Sequence, residues 1–252
     1  MRFRWSTTNV LLGLLAATGV VGVVALSPEI PTWIRLVAAV GTLVVAVTLA
    51  LYLWWTLARD RGRMALFAAV QGWHFRSRDE AYERRFSTFP FGSGFGGAAR
   101  NVLTGTYRFH TCTTFTYVIG RPTPQVYQVT LVELEADVPP FALLPEDLAA
   151  SIAKLMGGQD IVLGSPDFDD HWRIVSEHQD LVRAVFGPRL RRRMERRALR
   201  GMPIVVDAGA VLTWRAGSRG IRRLSRRLDV LVDVAEAIPE DVWRRSTRRS
   251  TD

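Results

Sequence analysis

Two segments near the middle of the chain decide its fold: Tyr107–Tyr117 (YRFHTCTTFTY) and Gln125–Glu135 (QVYQVTLVELE). In the first segment Tyr107, Phe109, Thr111, Thr113, Phe115 and Tyr117 alternate with period two, β-branched residues fill many intervening positions, and the second segment alternates again. This pattern is typical of strands that bury one face. A glycine- and proline-rich turn at Gly120–Pro124 separates the two segments. We therefore expect an antiparallel meander.

Helix signals follow toward the C-terminus. Ser176 can cap a helix that runs to about Arg200, and Gly187-Pro188 must kink or divide that helix. From Ile221 to Ile238, apolar residues recur at a 3-4-3-4-3 spacing, which favours a helix lying on a sheet over a coiled coil. The sequence thus predicts one α+β domain over residues 61–240, an antiparallel sheet packed with two or three helices. A basic polar tail at 241–252 is predicted to be disordered.

The N-terminal region contains two uncharged stretches, Trp5–Pro28 and Leu36–Ala58. A helix needs roughly 20 apolar residues to cross a bilayer, and the linker between the stretches contains two prolines. The pattern predicts a transmembrane helical hairpin over residues 1–60. Because neither stretch has an ionisable residue in its core, we interpret the hairpin as an anchor. A signal peptide ending near Ala25-Leu26-Ser27 is the alternative for the first stretch.

Charges that flank the hairpin predict its orientation. Basic residues precede the first stretch and follow the second: Arg2, Arg4, Arg59, Arg61 and Arg63. The positive-inside rule then predicts a multi-pass protein of the plasma (inner) membrane with both termini in the cytoplasm. The single cysteine, Cys112, excludes an intrachain disulfide and fits a reducing compartment.

Small residues recur at every fourth position of the second stretch: Ala38, Thr42, Ala46 and Ala50. Such a seam allows two helices to approach closely. Packing against the first stretch is favoured over a homo-oligomer, which remains the alternative.

Charge is unevenly distributed along the predicted domain. Residues 76–170 contain 8 basic and 12 acidic side chains, a net charge of −4, whereas residues 180–252 contain 18 basic and 9 acidic ones, a net charge of +9. We predict that arginines of two C-terminal helices form a contact surface: Arg189, Arg192, Arg193, Arg196, Arg223 and Arg227. Besides the lipid bilayer, its expected partners are anionic lipid headgroups or an acidic protein. Nucleic acid is disfavoured because no aromatic platform accompanies the charge.

One cluster has the side chains of a metal site: Asp167, Asp169, Asp170 and His171, with His178 and Asp180 following. Carboxylates and imidazoles can hold a divalent ion. The spacing matches no established motif, however, and a solvated turn is the simpler interpretation.

Two further patterns carry weaker signals. Gly92–Gly97 (GSGFGG) matches GxGxxG, but a strand-like segment follows it where a dinucleotide site requires a helix. His110 and Cys112 are two residues apart on one predicted strand and could pair as base and nucleophile. A cysteine in an apolar strand is more often an inert packing residue. The sequence predicts no cofactor.

Several short motifs from Ala68 onward resemble an uncharacterised family of small actinobacterial two-span membrane proteins. The motifs are Gly72-Trp73-His74-Phe75, Pro90-Phe91-Gly92, Gly105-Thr106-Tyr107-Arg108, and Asp167-Phe168-Asp169 followed by Trp172-Arg173-Ile174. The resemblance implies a membrane hairpin with an attached domain of unknown function. It implies no activity and no catalytic residue.

The sequence as a whole favours a membrane-anchored, non-catalytic interaction or scaffold module at the inner leaflet. The alternative hypothesis is a membrane-bound enzyme or a metal-dependent regulator that uses the Asp167–Asp180 segment.

Overall fold

The computed structural model describes residues 31–92, 96–120, 124–146, 148, 159–196, 199, 201–217, 221, 223–240 and 242. The chain divides into two compact units, Met1–Arg61 and Gly62–Asp252. A single helix, α1 (Thr32–Gln71), has its first part in one unit and its last turns in the other.

Helix α1 ends at Gln71 and is followed by Gly72. Gly72 has a φ of 68°, a left-handed conformation that favours glycine. The Trp73 N–H donates to the Ala68 carbonyl at 2.8 Å, which closes the helix end. In the last turns Met64 and Ala68 are buried and pack with Leu103 of the sheet.

In the described part of the second unit, nine antiparallel strands form one sheet in the order β1-β2-β3-β4-β9-β8-β5-β7-β6. The strands are β1 (His74–Arg78), β2 (Gly97–Tyr107), β3 (His110–Ile119), β4 (Gln125–Glu133), β5 (Phe141–Pro145), β6 (Gln159–Ile161), β7 (Trp172–Ser176), β8 (Ile204–Asp207) and β9 (Ala210–Ala216). The antiparallel sheet is thus confirmed. Strands β4 and β9 pair in the middle of the sheet, with Tyr127 opposite Ala216 and Glu133 opposite Ala210.

One prediction about an individual strand was wrong. The segment Tyr107–Tyr117 is not one strand, because the chain reverses at Arg108 and Phe109 between β2 and β3. Strand β5 lies between β7 and β8, with every residue buried. Its lack of polar residues fits this interior position, since both faces are covered.

Within the described residues, four short or medium helices pack on the sheet: α2 (Pro166–Asp169), α3 (Gln179–Val185), α4 (Pro188–Met194) and α5 (Leu224–Glu236). The predicted division at Gly187-Pro188 is confirmed, because α3 ends and α4 begins there. The helix predicted from the 3-4 spacing is α5.

Both faces of the sheet are covered. On one face, Phe141, Leu143 and Ile174 pack with side chains of α3, α4 and α5. On the other, Phe115 and Tyr117 pack with Phe86 and Phe91 of the loop that precedes β2. Among the described residues, this aromatic loop covers part of the second face.

The same loop is tied to the turn between β8 and β9. Arg85 donates to both carboxylate oxygens of Glu133 at 2.7 and 2.6 Å, and to the Ala208 carbonyl at 2.9 Å. The Asp207 carboxylate accepts from the backbone N–H groups of Ser87 and Thr88 at 3.0 and 3.2 Å. The turn and the loop thus hold each other in place.

The predicted transmembrane hairpin requires correction. Its first stretch, Trp5–Pro28, lies outside the described residues, and its second, Leu36–Ala58, is part of the longer helix α1. That helix continues through charged residues and ends in turns that pack on the sheet. Within the described part of the chain, no helix has the length and apolar character needed to cross a membrane. This finding contradicts both the hairpin and the multi-pass location in the inner membrane.

The small-residue seam lies on the first part of α1. The Thr42 hydroxyl donates to the Ala38 carbonyl at 2.8 Å, so it bonds within its own helix. The side chain of Ala50 lies outside the described residues. A role for Ala38, Thr42, Ala46 and Ala50 in helix packing stays a prediction.

Candidate functional site

Helix α4 presents an arginine surface, defined here as Arg189, Arg192 and Arg196, the last just beyond the helix. Leu190 and Met194 of the same helix are buried, and their i, i+4 spacing directs these three arginines outward. All three are exposed. Among the described residues, no carboxylate lies within ion-pair distance of any of them. Three positive charges are thus presented without a partner in the described domain.

Arg193, also predicted for this surface, is used inside the domain instead. Its Nε lies 2.6 Å from Oδ2 of Asp233 on α5. The other oxygen of that carboxylate accepts from Nη1 of Arg108 at 2.9 Å. One carboxylate therefore joins helix α4 to the turn between β2 and β3, and this turn lies beside the arginine surface.

The carboxylates of α5 also hold the rest of this turn. Glu236 accepts from Nη2 of Arg108 at 2.9 Å, and Asp229 accepts from the Tyr107 hydroxyl at 2.8 Å. The hydrogen bond to Asp233 raises the pKa of Arg108, and the bond to Asp229 raises the pKa of Tyr107. Both groups thus keep their protons over the physiological pH range, and the acidic side of α5 is occupied by partners within the domain.

The two predicted contact residues on α5 have different environments. Arg223 is exposed, with a φ of 60° at the residue before the helix. Arg227 is buried, with 8% of its surface exposed, and its assignment to the contact surface stays a prediction. Helix α5 has buried residues on several of its sides, including Val230, Val232 and Val234. These residues belong to the hydrophobic cluster that also contains residues of α3 and α4.

The structure reveals one feature that the sequence pattern concealed, the tip of the β2–β3 hairpin. Phe109 is fully exposed there, with a relative accessibility of 102%. Neither Arg108 nor Phe109 is a turn-forming residue, and the surrounding alternation continues through them, so the pattern indicates an uninterrupted strand.

The predicted metal cluster is not assembled as a site. The Asp169 carboxylate accepts from the backbone N–H groups of Leu163 at 3.2 Å and Ser165 at 2.8 Å. Nδ1 of His171 lies 3.1 Å from the Asp167 carbonyl. Asp170 is exposed at the end of α2. Over the described residues, no three His, Cys, Asp or Glu side chains are placed to hold a metal ion.

The predicted Cys–His pair is also unsuited to catalysis. Cys112 is buried, and loss of hydration raises the pKa of its thiol to about 12. Its Sγ lies 3.4 Å from the His110 carbonyl rather than bonding to the ring. A thiol that stays protonated at neutral pH is a poor nucleophile.

The GxGxxG segment cannot be fully placed, because residues 93–95 lie outside the described residues. Gly97 begins strand β2, as the sequence predicts. A strand in this position does not offer the helix N-terminus that binds a pyrophosphate.

Comparisons with known proteins find similarity in structure but not in sequence. No protein-family model matches the sequence, and no curated protein matches it in sequence. The crystal structure of the mycobacterial trehalose monomycolate transport factor A, TtfA, is similar, with a TM-score of 0.52 and 13% sequence identity. The similarity covers 71% of this chain and 96% of that chain. At this identity the similarity shows a shared fold. The resemblance to a small actinobacterial family stays a prediction.

Proposed function

We propose that this protein is a non-catalytic interaction module that binds an acidic protein partner through the arginine surface. The observation that carries the proposal is the contrast between paired and unpaired arginines. Arg108 and Arg193 neutralise the carboxylates of α5, whereas Arg189, Arg192 and Arg196 are exposed beside them without an ion pair among the described residues. Guanidinium groups in such positions suit bidentate recognition of carboxylates.

An acidic protein is favoured over the other expected partner, a layer of anionic lipid headgroups. A basic residue near an anionic leaflet contributes about 1 kcal/mol, so three contribute only about 3 kcal/mol. That is less than a single myristoyl chain supplies, and one such chain binds membranes only marginally. Carboxylates on a protein can instead form directed hydrogen bonds with each guanidinium.

The structural neighbour supports a role of this kind. TtfA is described as a transport factor. The shared fold is compatible with a similar non-enzymatic accessory role for this chain. Within the described residues, the unassembled Asp/His cluster and the protonated Cys112 thiol add no support for an enzyme.

Binding of the full-length protein to a designed probe tests the proposal. The probe is a short helical peptide with leucines along one side and glutamates flanking them, and its reference replaces every glutamate by glutamine. We expect the acidic peptide to bind more tightly than the reference, with an affinity that falls as salt rises from about 50 to about 200 mM. Fluorescence anisotropy measures both effects.

Two triple variants make the test specific. Arg189→Gln, Arg192→Gln and Arg196→Gln together should weaken binding of the acidic peptide about tenfold and flatten its salt dependence. Arg84→Gln, Arg100→Gln and Arg215→Gln remove the same charge from exposed positions elsewhere, and should have little effect. Equal losses in the two triples would mean that only net charge matters, and the proposed surface would be abandoned.

A further inference from the structure

The tip of the β2–β3 hairpin has an unusual backbone for its sequence. Tyr107 pairs with His110, so Arg108 and Phe109 alone form the turn. Their φ values are 48° and 69°. A two-residue turn with two positive φ values is of type I′, which strongly favours Asn-Gly. Residues with large side chains adopt this conformation at a free-energy cost.

The residues around Phe109 are held in place, whereas its own ring is not covered. Tyr107 bonds to Asp229, and Arg108 bonds to Asp233 and Glu236. The ring of Phe109 is fully exposed. Intramolecular packing therefore does not explain why a phenylalanine occupies a position where glycine would be more stable.

We infer that Phe109 is the apolar anchor of the interface formed by the arginine surface. This inference rests on the proposed function and names the chemistry of the partner: a pocket that accepts an aromatic ring, bordered by carboxylates. Aromatic residues and arginines are enriched in binding hot spots. The shared Asp233 carboxylate places the turn next to α4, so one partner surface can contact both.

Charge complementarity favours this occupant over a second copy of the chain. The whole chain has a formal net charge of +9, and a second copy would bring another set of arginines toward the first. Like charges in an interface reduce affinity. An acidic surface neutralises the arginines while its pocket removes the ring from water.

The Phe109→Gly variant separates binding from folding. Glycine relieves the strained turn, so the variant should unfold at the same temperature as the wild type or a few degrees higher. Its binding to the acidic leucine peptide should nevertheless be about tenfold weaker, with the salt dependence unchanged. Val162→Gly, at another exposed apolar residue, is the matched control and should bind like the wild type.

The outcomes distinguish the two proposals. If the wild type prefers the acidic peptide but Phe109→Gly binds it equally well, Phe109 is not an anchor while the arginine surface stands. If the wild type binds the acidic and neutral peptides equally, the proposed function is wrong, and the inference about Phe109 falls with it. Vesicles of neutral lipid with or without about one-third anionic lipid test the bilayer. Phe109-dependent binding to those vesicles, with none to the peptide, would overturn the protein-partner inference.

Photo-crosslinking in the source cells supplies an independent readout. Benzoylphenylalanine replaces Phe109 in the full-length protein, and Val162 in the control. We expect a crosslink from position 109 to a protein segment that contains several carboxylates, and its loss in the Arg189/Arg192/Arg196 triple variant. Crosslinks only to lipid, only to another copy of the chain, or to nothing would overturn the inference.

Discussion

Two hairpin turns of the same sheet have the same backbone conformation but different residues. Ala208-Gly209 joins β8 to β9, and Arg108-Phe109 joins β2 to β3. In each turn both residues have positive φ, 47° and 71° in the first, 48° and 69° in the second. The first turn has glycine at its second position and the second turn has phenylalanine.

The surroundings of the two turns differ as well. The carbonyls of Ala208 and Gly209 accept hydrogen bonds from Arg85 at 2.9 Å and from the Leu134 N–H at 2.9 Å, so this tip is held inside the domain. The Phe109 ring is fully exposed. The first turn is explained by folding. The second is better explained by an interaction outside the chain.

The largest expected loss of stability comes from removing the Arg85 side chain, which holds the first turn. Arg85→Met leaves the Glu133 carboxylate without its bidentate partner and the Ala208 carbonyl without its donor. The side chains of Arg85 and Glu133 are only about one-quarter exposed (27% and 25%). We expect a loss of about 2–3 kcal/mol in the free energy of unfolding. Urea denaturation measures it.

The same substitution at the second turn sharpens the contrast. Arg108 is 41% exposed, and Arg108→Met should cost about 0.5–1 kcal/mol despite its two carboxylate partners. Arg84→Met, at an exposed neighbour of Arg85, is the control for altered net charge. Equal losses in the free energy of unfolding for Arg85→Met and Arg108→Met would contradict this contrast, in which the domain depends on contacts of the first turn more than on those of the second.

The base of the second hairpin is tightly packed although its tip is not. A Cβ added to Gly105 would lie 2.2 Å from Cγ of Trp73, so Gly105→Ala must displace that ring. We expect a loss of about 2 kcal/mol. Gly96→Ala has open space around it and should be nearly neutral. Combining Gly105→Ala with Trp73→Leu should recover part of the loss, whereas strictly additive losses would show that the two residues do not compete for space.

Glycine substitutions should have opposite signs in the two turns. Gly209→Ala places a side chain at a φ of 71° and should cost about 1 kcal/mol. Phe109→Gly should raise the free energy of unfolding by up to about 1 kcal/mol. Thermal unfolding of both variants checks the signs. A destabilised Phe109→Gly would mean that the ring stabilises the domain and is not reserved for a partner.

The smallest effect concerns Cys112 in strand β3. Because burial raises the pKa of its thiol to about 12, above the usual value of 9, the folded state retains its proton longer than the unfolded state. Its contribution to stability is therefore fully present below pH 9 and is lost as the pH rises toward 12. At pH 8, iodoacetamide should react with Cys112 only after denaturation. Rapid labelling of the folded protein would show that the thiol is accessible.

The sequence patterns predict the middle of the sheet better than its ends. The alternation predicted for Gln125–Glu135 corresponds to strand β4 in the middle of the sheet. The β2–β3 turn was missed because Arg108 and Phe109 carry no turn signal. The uncharged run Leu36–Ala58 predicts a membrane span, but it forms part of a longer helix. The apolar character of a run does not by itself reveal what the helix contacts.

The contact surface could be predicted only in part. The buried positions Leu190 and Met194 follow from i, i+4 spacing, which correctly leaves Arg189, Arg192 and Arg196 exposed. The burial of Arg227 and the pairing of Arg193 with Asp233 depend on how α4, α5 and the β2–β3 turn meet. No local pattern encodes such contacts, because they can join residues far apart in the sequence. Arg108 and Asp233, for example, are more than a hundred positions apart.

The pairing of β4 with β9 has a consequence for synthesis of the protein. Gln125–Glu133 acquires its second neighbour only when Ala210–Ala216 has been made. Until then a ribosome-bound nascent chain exposes an unpaired, largely apolar strand edge, which invites pairing with other chains. The sheet can therefore be completed only after Ala210–Ala216 has been made, and products truncated before Ala210 should be substrates for chaperones and proteases.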